Sequence, residues 1–333
     1  PASWAAIAMV FAPVDGCDST EEMMLMKIVP GNLLKLILVL GLLFGFHTTA
    51  SAQRIRVITT VPDLADITKQ IGKQMVEVES LTRGVEFMHA VPVKPSFVPK
   101  LNRAQVLVVM GLDLEGSWLP ALHEVAGNPK IMPGQTGYID CSTGVNVLEV
   151  PKTLDRAEGD VHPRGNPHYN LDPLNGRIIA RNIADGLSRN FPQHTAIFEK
   201  NLVEYLGELN KAITRWEAMA VPLKDVKVVA YHRDWSYFAS RFGMQMIGSI
   251  ETKPGIEPTP NHLISLARRM QQEKAQIIIY GPQSDRFPRQ LAQQTGAIVV
   301  RLQSIAGALP ETDTYIKFID YNLRSLLSAV KKE

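Results

Sequence analysis

The chain has 333 residues, of which 45% are hydrophobic and 20% charged, with a formal net charge of +2. That balance is globular, carries no basic stripe, and excludes nucleic acid as the expected partner. Residues 26–52 read as a secretory leader, which directs the fold analysis to residues 53–333. Lys27 and Lys35 supply its positive charge, Leu36 to Phe46 its apolar run, and Ala50-Ser51-Ala52 its small-residue cleavage site. The run is shorter than the roughly 20 residues a bilayer span needs. Residues 1–25 read as upstream extension. Cys17 falls there, so only Cys141 belongs to the mature part, no internal disulfide is expected, and no cysteine at the cleavage point offers a lipid anchor. The expectation is a monomeric exported protein, periplasmic in an organism with two membranes.

In chain order, Arg56 to Thr60 predicts a strand, followed by Pro62-Asp63 and helical spacing at Leu64, Ile67 and Ile71 up to Gly72. Met75 to Leu81 alternates as a second strand. A loop holding Gly84 and His89 leads to a helix opening near Ser96 and to the apolar strand Val106 to Met110. A long helix over about 194–220 keeps one apolar stripe through Leu202, Tyr205, Leu209, Ile213 and Trp216, between Pro192 and Pro222. The pattern then repeats. Val226 to Ala230 is a strand, Trp235 to Phe242 a helix, Gln245 to Ile250 a strand; Lys253-Pro254-Gly255 marks a turn. A helix opens near Pro260, and Ile277 to Tyr280 is the next buried strand.

Both halves share a proline, a hydroxyl residue, a helix, Ala-Gln, an apolar run and a glycine: Pro95-Ser96 to Gly111, and Pro258-Thr259 to Gly281. Alternating helices and near-continuous apolar strands predict an α/β fold with parallel sheets flanked by helices. The expected organisation is two pseudo-symmetric lobes, 53–190 and 223–333, joined by a rigid helix over 191–222.

Three histidines stand out. His89, His168 and His232 lie at strand-to-loop transitions or in a proline-rich loop, where α/β sheets bind ligands. Neutral imidazoles suit a zinc ion of borderline softness. His123, His194 and His262 fit ordinary surface or core roles, and His47 falls in the leader. Trp235, Tyr237 and Phe238 read equally as cleft walls or as core.

From residue 54 onward the chain resembles the metal-binding, substrate-binding proteins of ABC transporters for zinc and manganese. The resemblance rests on Thr59-Thr60-Val61-Pro62-Asp63-Leu64, Gly111-Leu112-Asp113-Leu114-Glu115, Asn166-Pro167-His168-Tyr169-Asn170-Leu171-Asp172-Pro173, Tyr231-His232, Pro254-Gly255-Ile256-Glu257-Pro258 and Asp313-Thr314-Tyr315. It implies a metal site in the cleft between the lobes, held by His89, His168 and His232, and a membrane permease as partner. A histidine at the third position matches zinc-type members, so Zn²⁺ is the expected cargo ahead of Mn²⁺. The resemblance also shows a departure. Relatives carry Asp where this chain has Gln303, and an amide is a poor zinc ligand, which leaves the fourth position to water or to Glu251 or Asp285. Gly159-Asp160-Val161-His162-Pro163 resembles the end of the family's histidine-rich loop, with His162 read as an exposed loop histidine. A competing reading is a zinc enzyme, since three histidines and a water also form a catalytic layout. No general base stands at motif spacing, and the expectation is a protein that is not an enzyme.

Overall fold

The computed structural model describes residues 54–151, 162–252 and 255–330. The extension and leader (1–52, with Cys17 and His47), the start of the 159–163 motif and the Lys253-Pro254 turn lie outside them. Within that range Arg54 to Val330 belong to one contact unit.

The first sheet is built from β1 (Ile55–Thr59), β2 (Val76–Ser80), β3 (Val106–Val109) and β4 (Tyr138–Asp140), all parallel, in the order β2-β1-β3-β4. The second uses β5 (Lys227–Ala230), β6 (Gln245–Ser249), β7 (Ile277–Tyr280) and β8 (Ile298–Arg301), again parallel, in the order β6-β5-β7-β8. The two orders are the same, which is the pseudo-symmetry that the repeated sequence pattern predicts. In each sheet the chain reverses its direction of winding beside the first strand, so the crevice at the carboxyl ends of β1 and β5 is the place for a ligand. The strand β3 is buried at every position, as expected of a strand covered on both faces.

Helices α1 (Pro62–Gly72), α2 (Phe97–Arg103), α3 (Leu119–Ala126) and α4 (Pro173–Asn190) accompany the first sheet. Pro62 opens α1 at a position where its missing N–H costs nothing. The long helix α5 (Thr195–Met219) follows; Phe198, Leu202, Tyr205, Leu209, Ile213 and Trp216 bury its apolar stripe. At 1.5 Å per residue it is roughly 37 Å long. Helices α6 (Ser236–Phe242), α7 (Pro260–Glu273) and α8 (Arg286–Thr295) belong to the second half, and α9 (Tyr315–Val330) ends the described chain. The last helix packs on α5, α1 and β8. It is fastened by Asp320 accepting from Trp216 Nε1 at 3.0 Å and by Tyr315 N donating to Asp66 at 2.8 Å.

The core explains how the halves hold together. One apolar cluster runs from Val57 and Leu64 through Leu202 and Trp216 to Val228, Ala230 and Phe318. A second, smaller cluster holds Val229, Ile278 and Leu266 on the opposite face of the second sheet. The period-2 alternation of β5 sends Val228 and Ala230 to one cluster and Val229 to the other. The halves therefore share a core instead of each closing its own. Trp235 and Phe238 are buried members of it, so the core reading of these aromatics is the one observed. Among the described residues no helix is long and apolar enough to cross a membrane.

Candidate metal centre

Each of the three histidines lies on a connection outside the strands and α-helices. His89 sits in a 3-10 turn, Met88–Ala90, in the loop after β2. Trp118 Nε1 donates to Met88 O at 3.1 Å and the Ser117 hydroxyl donates to His89 O, which clamps the turn from the 111–118 loop. That loop is itself folded around buried Glu115, whose carboxyl accepts from Thr60 Oγ1 at 2.6 Å and from Met110 N at 2.8 Å. His168 precedes the 3-10 turn Tyr169–Leu171, with its N–H donating to Asn166 Oδ1 at 2.9 Å. His232 stands two residues past β5.

One ring nitrogen from each of His89, His168 and His232 falls within 4.8 Å of the other two, and all three residues are buried. The Nε2 atoms of His89 and His168 are 2.9 Å apart. A tetrahedral zinc with Zn–N bonds of 2.0–2.1 Å spaces its nitrogens about 3.3 Å apart, so these separations bracket what one ion needs. Burial, aided by His232 and His162, pushes His89 down to about 2. Burial likewise holds His168 well below the usual imidazole range, with its three neighbouring imidazoles adding to the effect. Both rings are thus neutral at ordinary pH and offer a lone pair without first losing a proton.

Glu251, a fourth-ligand candidate on sequence grounds, stands elsewhere. Its Oε2 lies 3.0 Å from His232 Nδ1, and its Oε1 accepts from Gly255 N at 3.1 Å. The carboxylate is therefore behind His232, fixing the tautomer that frees Nε2, as acceptors commonly do for metal-bound imidazoles. Sheet register explains the meeting: Ala230 pairs with Ser249 at the ends of β5 and β6, and each partner lies two residues past the end of its own strand. Asp285 is also absent from the cluster, and it accepts from Arg289 Nε at 2.5 Å on the exposed start of α8. Gln303 is buried with its backbone held by Asn322, donating to its Oδ1 at 2.9 Å.

Two neighbours border the cluster. His162, read from the sequence as an exposed loop histidine, is half-buried with its ring centroid 4.8 Å from that of His89. The Phe87 ring lies 5.1 Å from His89 and 5.8 Å edge-on to His232, walling the site with an apolar face. His123, His194 and His262 are not members of the cluster. His262 Nε2 contacts Ser249 O at 2.9 Å, an ordinary structural role.

Two like sheets and a buried three-imidazole cluster define a two-lobed binding protein whose ligand is a metal ion. The chain belongs to the family described as zinc-uptake complex component A, periplasmic, whose model matches residues 57–329. It is thus a metal-binding substrate-binding protein of the ABC-transporter type, which works with a membrane permease, and not an enzyme. Relatives include the manganese ABC transporter substrate-binding lipoprotein PsaA of Streptococcus pneumoniae, 27% identical over 297 residues, covering 86% of this chain and 93% of that protein. The iron ABC transporter substrate-binding lipoprotein MtsA of Streptococcus pyogenes serotype M1 is 24% identical over 318 residues, covering 92% and 99%. The crystal structure of ZnuA shares the fold with a TM-score of 0.71 at 23% identity, covering 84% of this chain and all of that one. A Mn-bound periplasmic metal binding protein from candidatus liberibacter asiaticus aligns at a TM-score of 0.68 and 20% identity, covering 84% and 100%. Two of these relatives are named lipoproteins, so the expectation of a chain without a lipid-anchoring cysteine finds no support in them.

Proposed function

We propose that this protein captures Zn²⁺ outside the cytoplasm and passes it to its permease, with His89, His168 and His232 as the protein ligands and water in the fourth position. The observation that carries the reading is the all-nitrogen donor set: among the described residues three buried imidazoles converge, while Glu251 contacts the Nδ1 of His232. Manganese prefers more oxygen, so a site without a carboxylate ligand favours zinc. The relatives named for manganese and iron make this the point to test. In the same reading the protein is a periplasmic monomer, made with a leader over 26–52 and organised as lobes 53–190 and 223–333 around the 191–222 helix.

Zinc outcompetes manganese at most nitrogen and oxygen sites, so their ratio alone decides little. The informative measurement is whether Mn²⁺ is retained at all. Titration of the metal-free chain should give tight Zn²⁺ binding, no Mn²⁺ retention at micromolar concentration, and loss of Zn²⁺ binding on triple alanine replacement of the histidines. Micromolar retention of Mn²⁺ would sink the zinc assignment, and unchanged Zn²⁺ affinity in the triple variant would sink the ligand set.

A further inference from the structure

The ligands come from two lobes, so something other than the metal must set the spacing across the cleft. His89 follows β2 and His168 follows β4 of the first sheet, and His232 follows β5 of the second. Several links between the His168 segment and the His232 segment converge on one buried side chain, Asn166. Its Oδ1 accepts from His168 N at 2.9 Å, and its Nδ2 donates to Arg233 O at 2.8 Å, one residue past His232. The same Nδ2 donates to Glu149 Oε2 at 3.0 Å, and Glu149 Oε1 in turn accepts from Ser236 at the start of α6. Asn166 O accepts from Tyr237 Oη at 2.8 Å, and Asn166 N donates to Leu148 O at 2.9 Å.

We infer that Asn166 is a positioning residue that sets His168 against His232 across the cleft, so that metal retention depends on a side chain outside the ligand set. The inference rests on the three-histidine reading of the site. Its chemistry is specific to an amide. The position needs one acceptor and two donors in a plane, aimed at an N–H, a carbonyl and a carboxylate. Aspartate keeps the acceptor, loses both donors and faces Glu149 with like charge. Leucine matches the shape and makes none of the bonds. Arg241 strengthens the same seam from α6 by a two-pronged bond to Asp172, at 2.8 and 2.9 Å, four residues beyond His168. Asn166 is nonetheless the member that bonds directly to both ligand-bearing backbones.

The test is a double-mutant cycle on the full metal-free chain, reading Zn²⁺ affinity by chelator competition and the Co²⁺ visible spectrum as a signature of ligand geometry. Asn166→Ala should weaken Zn²⁺ binding about tenfold, the low end for groups that orient metal ligands, and should alter the Co²⁺ spectrum. In a His232→Ala background the same substitution should add little, because no cross-cleft ligand remains to be aligned. An equal loss in both backgrounds, or no loss in either, overturns the inference. Tyr237→Phe removes only the hydroxyl, leaves the ring in the core, and should show the same non-additivity at smaller size. If Asn166→Ala fails to fold, additivity in the Tyr237→Phe cycle overturns the inference instead. A wild-type chain that binds neither ion overturns the three-histidine reading and this inference together. Wild-type binding with an unaffected Asn166→Ala overturns this inference alone.

Discussion

Replacing Glu251 separates a carboxylate that orients a ligand from one that is a ligand. The His232 Nδ1 to Glu251 Oε2 contact is 3.0 Å long, and each side chain is only 7% exposed, so water does not stand in for a lost partner. Truncation to alanine leaves the Nδ1 proton buried and unpaired, at a cost of about 1–3 kcal/mol. Most of that cost falls on metal-free and metal-bound forms alike and cancels from the affinity. What remains is the extra strength the bond gains when zinc polarises the ring, and losses of this kind run about 10–100-fold, or roughly 1.4–2.7 kcal/mol. Glu251→Ala should therefore lose about 10–100-fold in Zn²⁺ affinity by chelator competition. Glu251→Gln keeps an acceptor oxygen and should lose less than tenfold, with an unchanged Co²⁺ spectrum. Equal losses in both variants, with a Co²⁺ spectrum that changes in Glu251→Gln, would refute the orienting role and make Glu251 a ligand.

Asp63 supplies the clearest pH test. It is fully buried, accepts from Ala306 N at 2.7 Å and Asn170 Nδ2 at 3.0 Å, and burial still raises it to about 7. A raised acid holds its proton more tightly in the folded chain, so its contribution is complete below the unfolded value near 4 and is lost as pH rises through 7. From pH 5 to 8 that loss is on the order of 2–3 kcal/mol. Urea unfolding of the metal-free chain should show a smaller fall in stability over this interval in Asp63→Asn than in wild type; equal falls contradict the assignment. Glu115 and Asp234 act in the same direction, whereas depressed His89 and His168 destabilise only as pH drops below about 6.5. Gly84→Ala probes the other edge of the cleft. A Cβ there would stand 2.2–2.4 Å from backbone atoms of Ala306, Gly307 and Ala308, none of which can rotate away. The expected cost is about 1–3 kcal/mol, with weakened Zn²⁺ binding because the His89 loop must shift. Wild-type thermal stability in this variant would show that the two segments do not need that contact.

Periodicity made most of the scaffold legible. The helix expected over 194–220 is observed as Thr195–Met219, and the strand expected at Val226 to Ala230 begins one residue later. The edge strands β4 and β8 escaped because Tyr138–Asp140 is three residues long and Ile298–Arg301 carries only partial burial, too little pattern to rise above loop. The convergence of the three histidines followed from the family resemblance more than from local pattern, since only His232 stands just past a strand. The contact of Glu251 with His232 Nδ1 was not legible, because it depends on β6 lying beside β5, a fact of topology and not of local sequence. Asn166 and His162 occupy a connecting segment without periodicity, where no local signal separates a site residue from a surface one.

The same contacts limit how metal can leave. Segment 166–172 carries His168 and is bonded to the second half along its length: Asn166 to Arg233, Asn170 to Ser304 O at 3.0 Å, and Asp172 to Arg241. Asn170 also donates to Asp63, and its carbonyl accepts from Tyr315 Oη at 2.6 Å, which ties the segment to α1 and α9 together. A wide hinge opening would break this whole set and split the shared apolar core, exposing side chains such as Trp216 and Phe318. Metal bonds tolerate far less, with ligand distances held within about 0.2 Å of their ideal values. A displacement below one ångström in 166–172 or in the His89 turn is enough to detach one imidazole and leaves the core intact. On the proposed ligand set, release by small tilts and loop shifts would therefore require much less free energy than domain opening.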